Sequence, residues 1–369
     1  DFWKILDISY DAFIRTTDNN HKKVVEKVLD ELYKREAIYK GTYKGLYCLG
    51  CEQFLTESQL VEGKCPDHNQ EPQIVEEENY LLKMSAVQEK IVAKIKSDEL
   101  KITPSSKKKE ILNFLSKKLE DISISRSVQK VPWGIKLPFD QNHTTYVWVD
   151  AFLNYLTALD WDGNVGKIPD FFPPDLQILG KDILRVHATI WPAILLHLNL
   201  PLPKEIYVHD LILSGGRKMS KTLGNTIDPF DLINEYGTDA LRYYLLREVS
   251  SFDDGDITLE KFKEAYNANL ANGLGNLTSR IMKMSEEYLD GPVDISKIRP
   301  MNDVWECIER FELSRAMDIL WWYMSDLDGL IQEQRPFEVF KKNKIAAQKQ
   351  LTYLVKELAR IANHLTPFL

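Results

Sequence analysis

The chain has 369 residues, 44% of them hydrophobic and 28% charged, with a formal net charge of −8 and four cysteines. That length is too great for one core and predicts two or three domains, and the ordinary composition, free of low-complexity tracts, excludes a disordered chain. The longest apolar stretch, Ile190 to Leu198, is interrupted by His197 and falls well short of the ~20 residues that cross a bilayer.

In chain order, the first forty residues read as helix, with Val24, Val25, Val28, Leu29 and Leu32 at helical spacing and an end near Gly41. From Gly41 to Asn79, short aromatic and β-branched runs broken by Gly, Pro and Cys predict a small module. Inside it, Cys48-Leu49-Gly50-Cys51 is followed after thirteen residues by Cys65-Pro66-Asp67-His68. Three thiolates (Cys48, Cys51, Cys65) and one imidazole (His68) form a closed tetrahedral set suited to structural Zn²⁺. Buried cysteines beside an unrelated histidine, or a site that holds no metal, are the alternatives. This clustering suits a reducing compartment better than a disulfide framework, and Cys307 sits alone in an apolar helical stretch.

Lys83 to Glu120 returns to helical periodicity, and Ile122 to Gly134 reads as extended. A strand over Thr144 to Val149, a helix, a strand over Leu176 to Leu179, a helix through His187 to Leu198 and a strand over Ile206 to Val208 then predict an α/β domain. Such alternation gives a parallel sheet, whose ligands collect at the carboxyl ends of its strands. Beyond Pro229, amphipathic stretches at 259–289, 302–334 and 343–365 predict a helix bundle.

Charge is uneven along the chain. Lys94 to Lys118 holds eight lysines against three acids, and Lys341 to Arg360 six bases against one Glu. Each patch is either a solvated helix face or a track for a phosphate backbone.

The strongest chemical signal is Gly215-Gly216-Arg217-Lys218-Met219-Ser220-Lys221-Thr222-Leu223-Gly224-Asn225. Two lysines three apart, bracketed by glycines, make a cationic loop able to close over a polyphosphate. The run resembles the Lys-Met-Ser-Lys-Ser signature of class I aminoacyl-tRNA synthetases, with Thr222 for the last Ser. Around it, Asp121-Ile122-Ser123-Ile124-Ser125-Arg126, Trp133-Gly134-Ile135, Tyr146-Val147-Trp148-Val149-Asp150-Ala151, Gly180-Lys181-Asp182-Ile183, His187 and Trp191-Pro192 extend the likeness. Together they resemble the methionyl-tRNA synthetases.

The resemblance implies an α/β fold: the second half of a class I Rossmann-like nucleotide-binding domain with a zinc-knuckle connective insertion, then an all-α anticodon-binding bundle. The matching segments are 1–130 with the knuckle at about 41–79, 131–228 with the lysine loop at 215–225, and 229–369. The implied substrates are methionine, ATP with Mg²⁺, and tRNA(Met). In that chemistry a carboxylate attacks the α-phosphate of ATP, and Lys218 and Lys221 stabilise the charge on departing pyrophosphate, with Ser220 adding a hydrogen bond. Gly180 and Asp182 would meet the ribose. Trp148, Ala151, Tyr155, Ile183 and His187 would line the methionine pocket, with Tyr155 and His187 offering weak hydrogen bonds to sulfur. By spacing alone the same face reads as core packing.

In the bundle, Asn276 and Arg280 match the family's anticodon-reading pair, and Phe337 after Pro336 stands where the family stacks a Trp. The family's second signature, His-Ile-Gly-His, and its Gly-Thr-Asp-Glu-His-Gly run are not found, no targeting signal is visible, and the chain begins at Asp1 rather than methionine. The chain is therefore expected to be a fragment or processed product with at most residual activity alone. The expected compartment is the cytoplasm, with an organelle the alternative, and the oligomeric state is open. Two function classes are weighed: a methionine–tRNA ligase, and a truncated or split homologue that binds tRNA without catalysis. A ligase for leucine, isoleucine, valine or cysteine fits less well, because the insertion leaves no room for a large editing domain.

Overall fold

The computed structural model describes residues 2–49, 53–55, 60–66, 69–219 and 224–369. They divide into two compact units: Tyr10–Val208, and Asp1–Ser9 together with His209–Leu369. The division cuts the 131–228 segment after Val208, so the lysine loop belongs to the second, largely helical unit.

In the α/β unit, helix α2 (Asn19–Lys34) buries His21, Val24, Val25, Val28, Leu29 and Leu32 on one stripe. It stops at Lys34, short of the expected end near Gly41, and Glu36 takes a left-handed conformation (φ 56°). Gly41 is a strand residue: a Cβ there would come 2.9 Å from Leu81 Cδ1, so glycine admits the cross-strand leucine. Strand β1 (Ile38–Cys48) runs antiparallel to β3 (Gln73–Leu82), with Ile38 opposite Leu82 and Tyr47 opposite Gln73. Strands β2 (Gln53–Leu55) and β5 (Ile122–Ser123) complete the sheet in the order β2-β1-β3-β5.

The expected helical stretch from Lys83 to Glu120 contains α3 (Gln88–Lys96) and α4 (Ser105–Phe114), but also a strand, β4 (Lys101–Thr103). Pro104 caps α4 from an extended conformation, and proline cannot continue a helix from the strand side. β4 is parallel to β10 (Glu205–His209), with Ile102 opposite Ile206, and β9 (Leu176–Gly180) lies on the other edge of β10. Helix α7 (Leu184–Leu198) is buried along most of its length. With α2, α3 and these strands it forms the core of the unit, through Ile91, Ile95, Ile194, Leu195, Ile206 and Val208.

A third sheet of this unit has the order β6-β8-β7: β6 (Ser125–Ser127), β7 (Lys136–Leu137) and β8 (Asp140–Thr145). The strand expected over Thr144 to Val149 lies earlier. The ladder ends where Thr145 N donates to Ile135 O and Tyr146 N to Ile124 O, each at 2.7 Å. Tyr146 then caps α5 (Val147–Phe152), and α6 (Asn154–Thr157) follows after one residue.

In the helical unit, β11 (Ile212–Ser214), β12 (Arg217–Lys218) and β13 (Gly255–Asp256) form a small sheet in the order β12-β11-β13. β13 departs from the helix bundle expected beyond Pro229, and its pairing with β11 ties the lysine hairpin to this unit. Helices α8 (Pro229–Tyr236), α9 (Thr238–Tyr243) and α10 (Leu259–Ala265) lead into a π-helical stretch, Tyr266–Gly275, that runs on into α11 (Asn276–Tyr288). α12 (Asn302–Glu309) and α13 (Leu313–Gln334) are separated where Phe311 turns left-handed (φ 60°), and α14 (Pro336–Phe340) and α15 (Lys344–Leu365) close the unit. α1 (Phe2–Ile5) precedes Leu6, which packs into the core with Leu277, Ile281, Leu320 and Leu354. Side-chain caps fix three starts: Asp228 accepts from Phe230 N, Thr258 from Lys261 N and Asn343 from Ala346 N.

Replacing Leu29 by Ala should lower the unfolding free energy by about 2–5 kcal/mol through lost burial and a cavity. Lys22→Ala, on the exposed face, should change it by less than about 0.5 kcal/mol. Urea denaturation of both variants checks this, and equal effects would contradict the packing described.

Candidate functional site

The α/β unit brings four of the five expected pocket residues into contact through two connected elements. α5 carries Trp148 and Ala151, and α6 carries Tyr155. A 3₁₀ turn, Lys181–Ile183, directly follows β9 and feeds α7, which carries His187. Tyr155 Oη lies 3.0 Å from His187 Nε2, and His187 Nδ1 lies 2.9 Å from the Ile183 carbonyl. The ring centroids of Trp148 and His187 are 6.4 Å apart, near-perpendicular. Trp148, Ala151, Tyr155 and Ile183 are half-buried, and His187 is buried.

A carbonyl oxygen only accepts, so Nδ1 of His187 carries the proton toward Ile183 and Nε2 is the acceptor for the Tyr155 hydroxyl. Burial pushes the His187 pKa below 6.5, against the upward pull of the Ile183 carbonyl, so the ring is neutral at neutral pH. Burial raises that of Tyr155, which keeps its proton. The two polar hydrogens are thus already engaged. Tyr155 and His187, expected to offer hydrogen bonds to a ligand sulfur, here direct their hydrogens at His187 Nε2 and the Ile183 carbonyl. What the wall presents is shape and polarisable aromatic surface.

Two features escaped sequence reasoning. Phe152 stands edge-on to His187 at 4.9 Å and stacks on Trp191 at 5.6 Å, so the wall is backed by further rings. His21, fully buried on α2, joins Asp150 Oδ1 through Nε2 and Thr157 Oγ1 through Nδ1, both at 2.8 Å. Through these contacts α2 fixes the helices carrying Trp148, Ala151 and Tyr155. The signal was present: His21 shares the apolar stripe of Val24, Val25 and Val28, and a buried imidazole requires polar partners.

Gly180 lies at the carboxyl end of β9 in an extended conformation (φ −75°, ψ 152°), and Asp182 is exposed one residue into the 3₁₀ turn. This is the strand end where ligands of α/β sheets collect.

In the helical unit, Gly215 and Gly216 have φ of +62° and +71°, forming a two-residue hairpin turn that places Ser214 opposite Arg217 and Leu213 opposite Lys218. Asp256 Oδ1 accepts from Gly216 N at 2.9 Å; that bond, with the ion pair to Lys261, holds the Asp256 carboxyl below its usual range. Asn225 Nδ2 donates to Ser214 O (3.4 Å) and Lys218 O (3.2 Å), closing the base of the loop. Lys218 is exposed; Ser220 and Lys221 lie outside the described residues.

Asn276 and Arg280 are exposed one turn apart on α11. Arg280 forms an ion pair with Asp328 of α13, whose other oxygen accepts from Gln332 Nε2 at 2.6 Å. In the π-helical run before Asn276, Cβ atoms at Gly273 and Gly275 would come 3.2 and 3.1 Å from the carbonyls of Ala268 and Leu270, a tight fit that glycine avoids. Phe337 is 40% exposed on α14, after left-handed Arg335.

Cys48 and Cys65 are buried in one small cluster with Leu55, so two soft donors far apart in sequence come together. Cys51 and His68 lie outside the described residues, and among the described residues no group of three or more His, Cys, Asp or Glu could hold a metal. No helix among them is long and apolar enough to cross a membrane.

The chain belongs to the class I tRNA synthetases (M), whose family model matches residues 1–73 and 68–282. It is 43% identical to methionine–tRNA ligase of Clostridium acetobutylicum over 386 aligned residues, taking in 100% of this chain and 60% of that relative. It is 42% identical to methionine–tRNA ligase of Caldanaerobacter subterraneus subsp. tengcongensis, over 92% of this chain and 55% of the relative. The chain thus spans 55–60% of the length of these curated relatives. It is similar in structure to Mycobacterium tuberculosis methionyl-tRNA synthetase bound by methionyl-adenylate, with a TM-score of 0.88 and 31% identity over 99% of this chain and 76% of that one.

The depressed pKa of His187, and those of His143 and His197, also lowered by burial, fix the sign of a pH effect. Below the ordinary value of 6.5 the unfolded chain binds more protons than the folded one. Stability is therefore full above that pH and is lost as pH falls through the folded values. Urea midpoints measured from about pH 7 to about pH 5 should decline, and His187→Gln should make the decline shallower; an unchanged slope would contradict a neutral, buried His187.

Proposed function

We propose that this chain carries the amino-acid and anticodon recognition parts of a methionine–tRNA ligase, which activates methionine with ATP and transfers it to the 3′ end of tRNA(Met). The observation that carries the reading is the hydrogen-bonded wall of Tyr155, His187 and Ile183 beside Trp148, in a chain of the class I (M) family. An unbranched thioether suits a wall of fixed rings with no free donor, because sulfur is polarisable and gains from aromatic contact. A β-branched side chain gains less from the same surface. Ala151, small and half-buried on α5, leaves room for the chain of the amino acid.

Gly180 and Asp182 are assigned to the ATP ribose: the strand end brings backbone close, and an exposed carboxylate accepts from hydroxyls. Lys218, and by the sequence motif Ser220 and Lys221, are assigned to the phosphates of ATP with Mg²⁺, where they offset charge on the departing pyrophosphate. The Gly215–Gly216 turn and the Asn225 clamp support this by holding the base of the loop while leaving Lys218 exposed.

Asn276 and Arg280 are assigned to an anticodon base and Phe337 to base stacking. For zinc, the donor chemistry fits: Cys48 and Cys65 are juxtaposed and buried, and Cys51 and His68 would complete the set. Bound there, the ion would staple the turn beyond β1.

Methionine-dependent ATP–pyrophosphate exchange by the full-length protein tests the ligase reading. Lys218→Ala should slow exchange about 10²–10³-fold, the usual cost of one transition-state donor. Absence of exchange from the unmodified protein would sink the reading.

Affinity for the anticodon stem-loop tests the second assignment. Phe337→Trp should tighten binding through greater stacking area, whereas Asp328→Ala should weaken it by releasing Arg280. No change in either variant would remove these residues from anticodon recognition.

A further inference from the structure

Trp133 is 79% exposed. Its turn is hydrogen-bonded: Lys130 N and Val131 N donate to Ser127 O at 2.9 and 3.1 Å, and Gly134 N to Val131 O at 3.3 Å. Gly134 presses on β8 so closely that a Cβ would come 2.8 Å from Thr144 Cβ. The indole stands out from this turn, and with Leu49 and Val147 exposed in the same cleft it forms an apolar patch of the kind that marks a binding surface.

The cleft beneath it has a volume of about 570 Å³ and lies wholly in the α/β unit. Leu49 and Val147, 61% and 58% exposed, give it apolar surface. Arg126 sits with its guanidinium carbon 4.8 Å from the centre of the Tyr146 ring, and its Nη1 donates to Ser123 Oγ and Ser125 O, both at 2.8 Å. That fixes a planar cation over an aromatic face. Lys130 pairs with Glu77, so the charged lining is two cations against one acid. Tyr146 and Val147 immediately precede Trp148 of the proposed methionine wall.

We infer that this cleft seats the unpaired 3′ end of the tRNA acceptor strand, with a base stacked on Trp133 and the phosphate backbone beside Arg126. A flat aromatic face beside a fixed cation is what single-stranded nucleic acid needs, and it takes every base because each has a π-face. An apolar small molecule would have no use for the Arg126 cation. Position agrees: the chain segment that lines the cleft continues directly into the residues assigned to methionine, where the accepting nucleotide must arrive. The inference rests on the ligase reading.

The test uses the full-length protein and tRNA(Met) carrying 2-aminopurine as its terminal base. Binding to the unmodified protein should quench the fluorescence, Trp133→Ala should abolish the quenching, and Trp133→Phe should keep part of it. In charging, the ratio of kcat/KM for tRNA to the ATP–pyrophosphate exchange rate should fall about 5- to 150-fold in Trp133→Ala, the worth of one stacked base. Quenching retained in Trp133→Ala, or charging and exchange falling in proportion, would overturn the inference. Exchange absent from the unmodified protein would instead mark failure of the ligase reading, which separates the two.

Discussion

Much of the candidate site depends on the 3.0 Å hydrogen bond between Tyr155 Oη and His187 Nε2. It is one link of a relay in which the Ile183 carbonyl selects the histidine tautomer and the histidine then orients the tyrosine. Because His187 is buried and neutral, the relay carries no charge, and because both hydrogens are used, it needs no water or ligand to satisfy it. A surface of fixed rings results, fed from β9 on one side and from α5 and α6 on the other.

A second polar network holds the same helices from behind. His21 bridges Asp150 and Thr157, one residue on α5 and one on α6, across the single-residue break at Leu153. In the helical unit the same economy is visible: an ion pair and an amide hold Asp328 between Arg280 and Gln332, and an amide holds the lysine hairpin at Asn225. In each case the side chain assigned to a ligand is oriented by a neighbour that need not touch it.

The stripe of α2, the buried run of α7 and the lysine loop were legible because each is carried by local spacing or by a contiguous run of residues. β4 was not, since three residues between two helices carry no period of their own and acquire strand structure only by pairing with β10, about a hundred positions away. The border between β8 and α5 was misplaced for a related reason. The apolar run Tyr146 to Val149 suits either state, and hydrogen bonds from Thr145 and Tyr146 to distant carbonyls decided where the ladder stops. Asp328 was invisible because its partner lies 48 residues away on another helix. The relay was half legible: its residues were named by resemblance as expected pocket residues, but which hydrogens they engage depends on distances that no spacing encodes.

On the proposal that this wall recognises methionine, it does so by shape and polarisability, with its hydrogens engaged inside the wall. Isothermal titration of the full-length protein with methionine and with norleucine, in which a methylene replaces the sulfur, tests it most directly. Sulfur–aromatic contact alone predicts that norleucine binds within roughly tenfold of methionine. Norleucine rejected by a thousandfold or more, the signature of a donor left unpaired, would contradict the account.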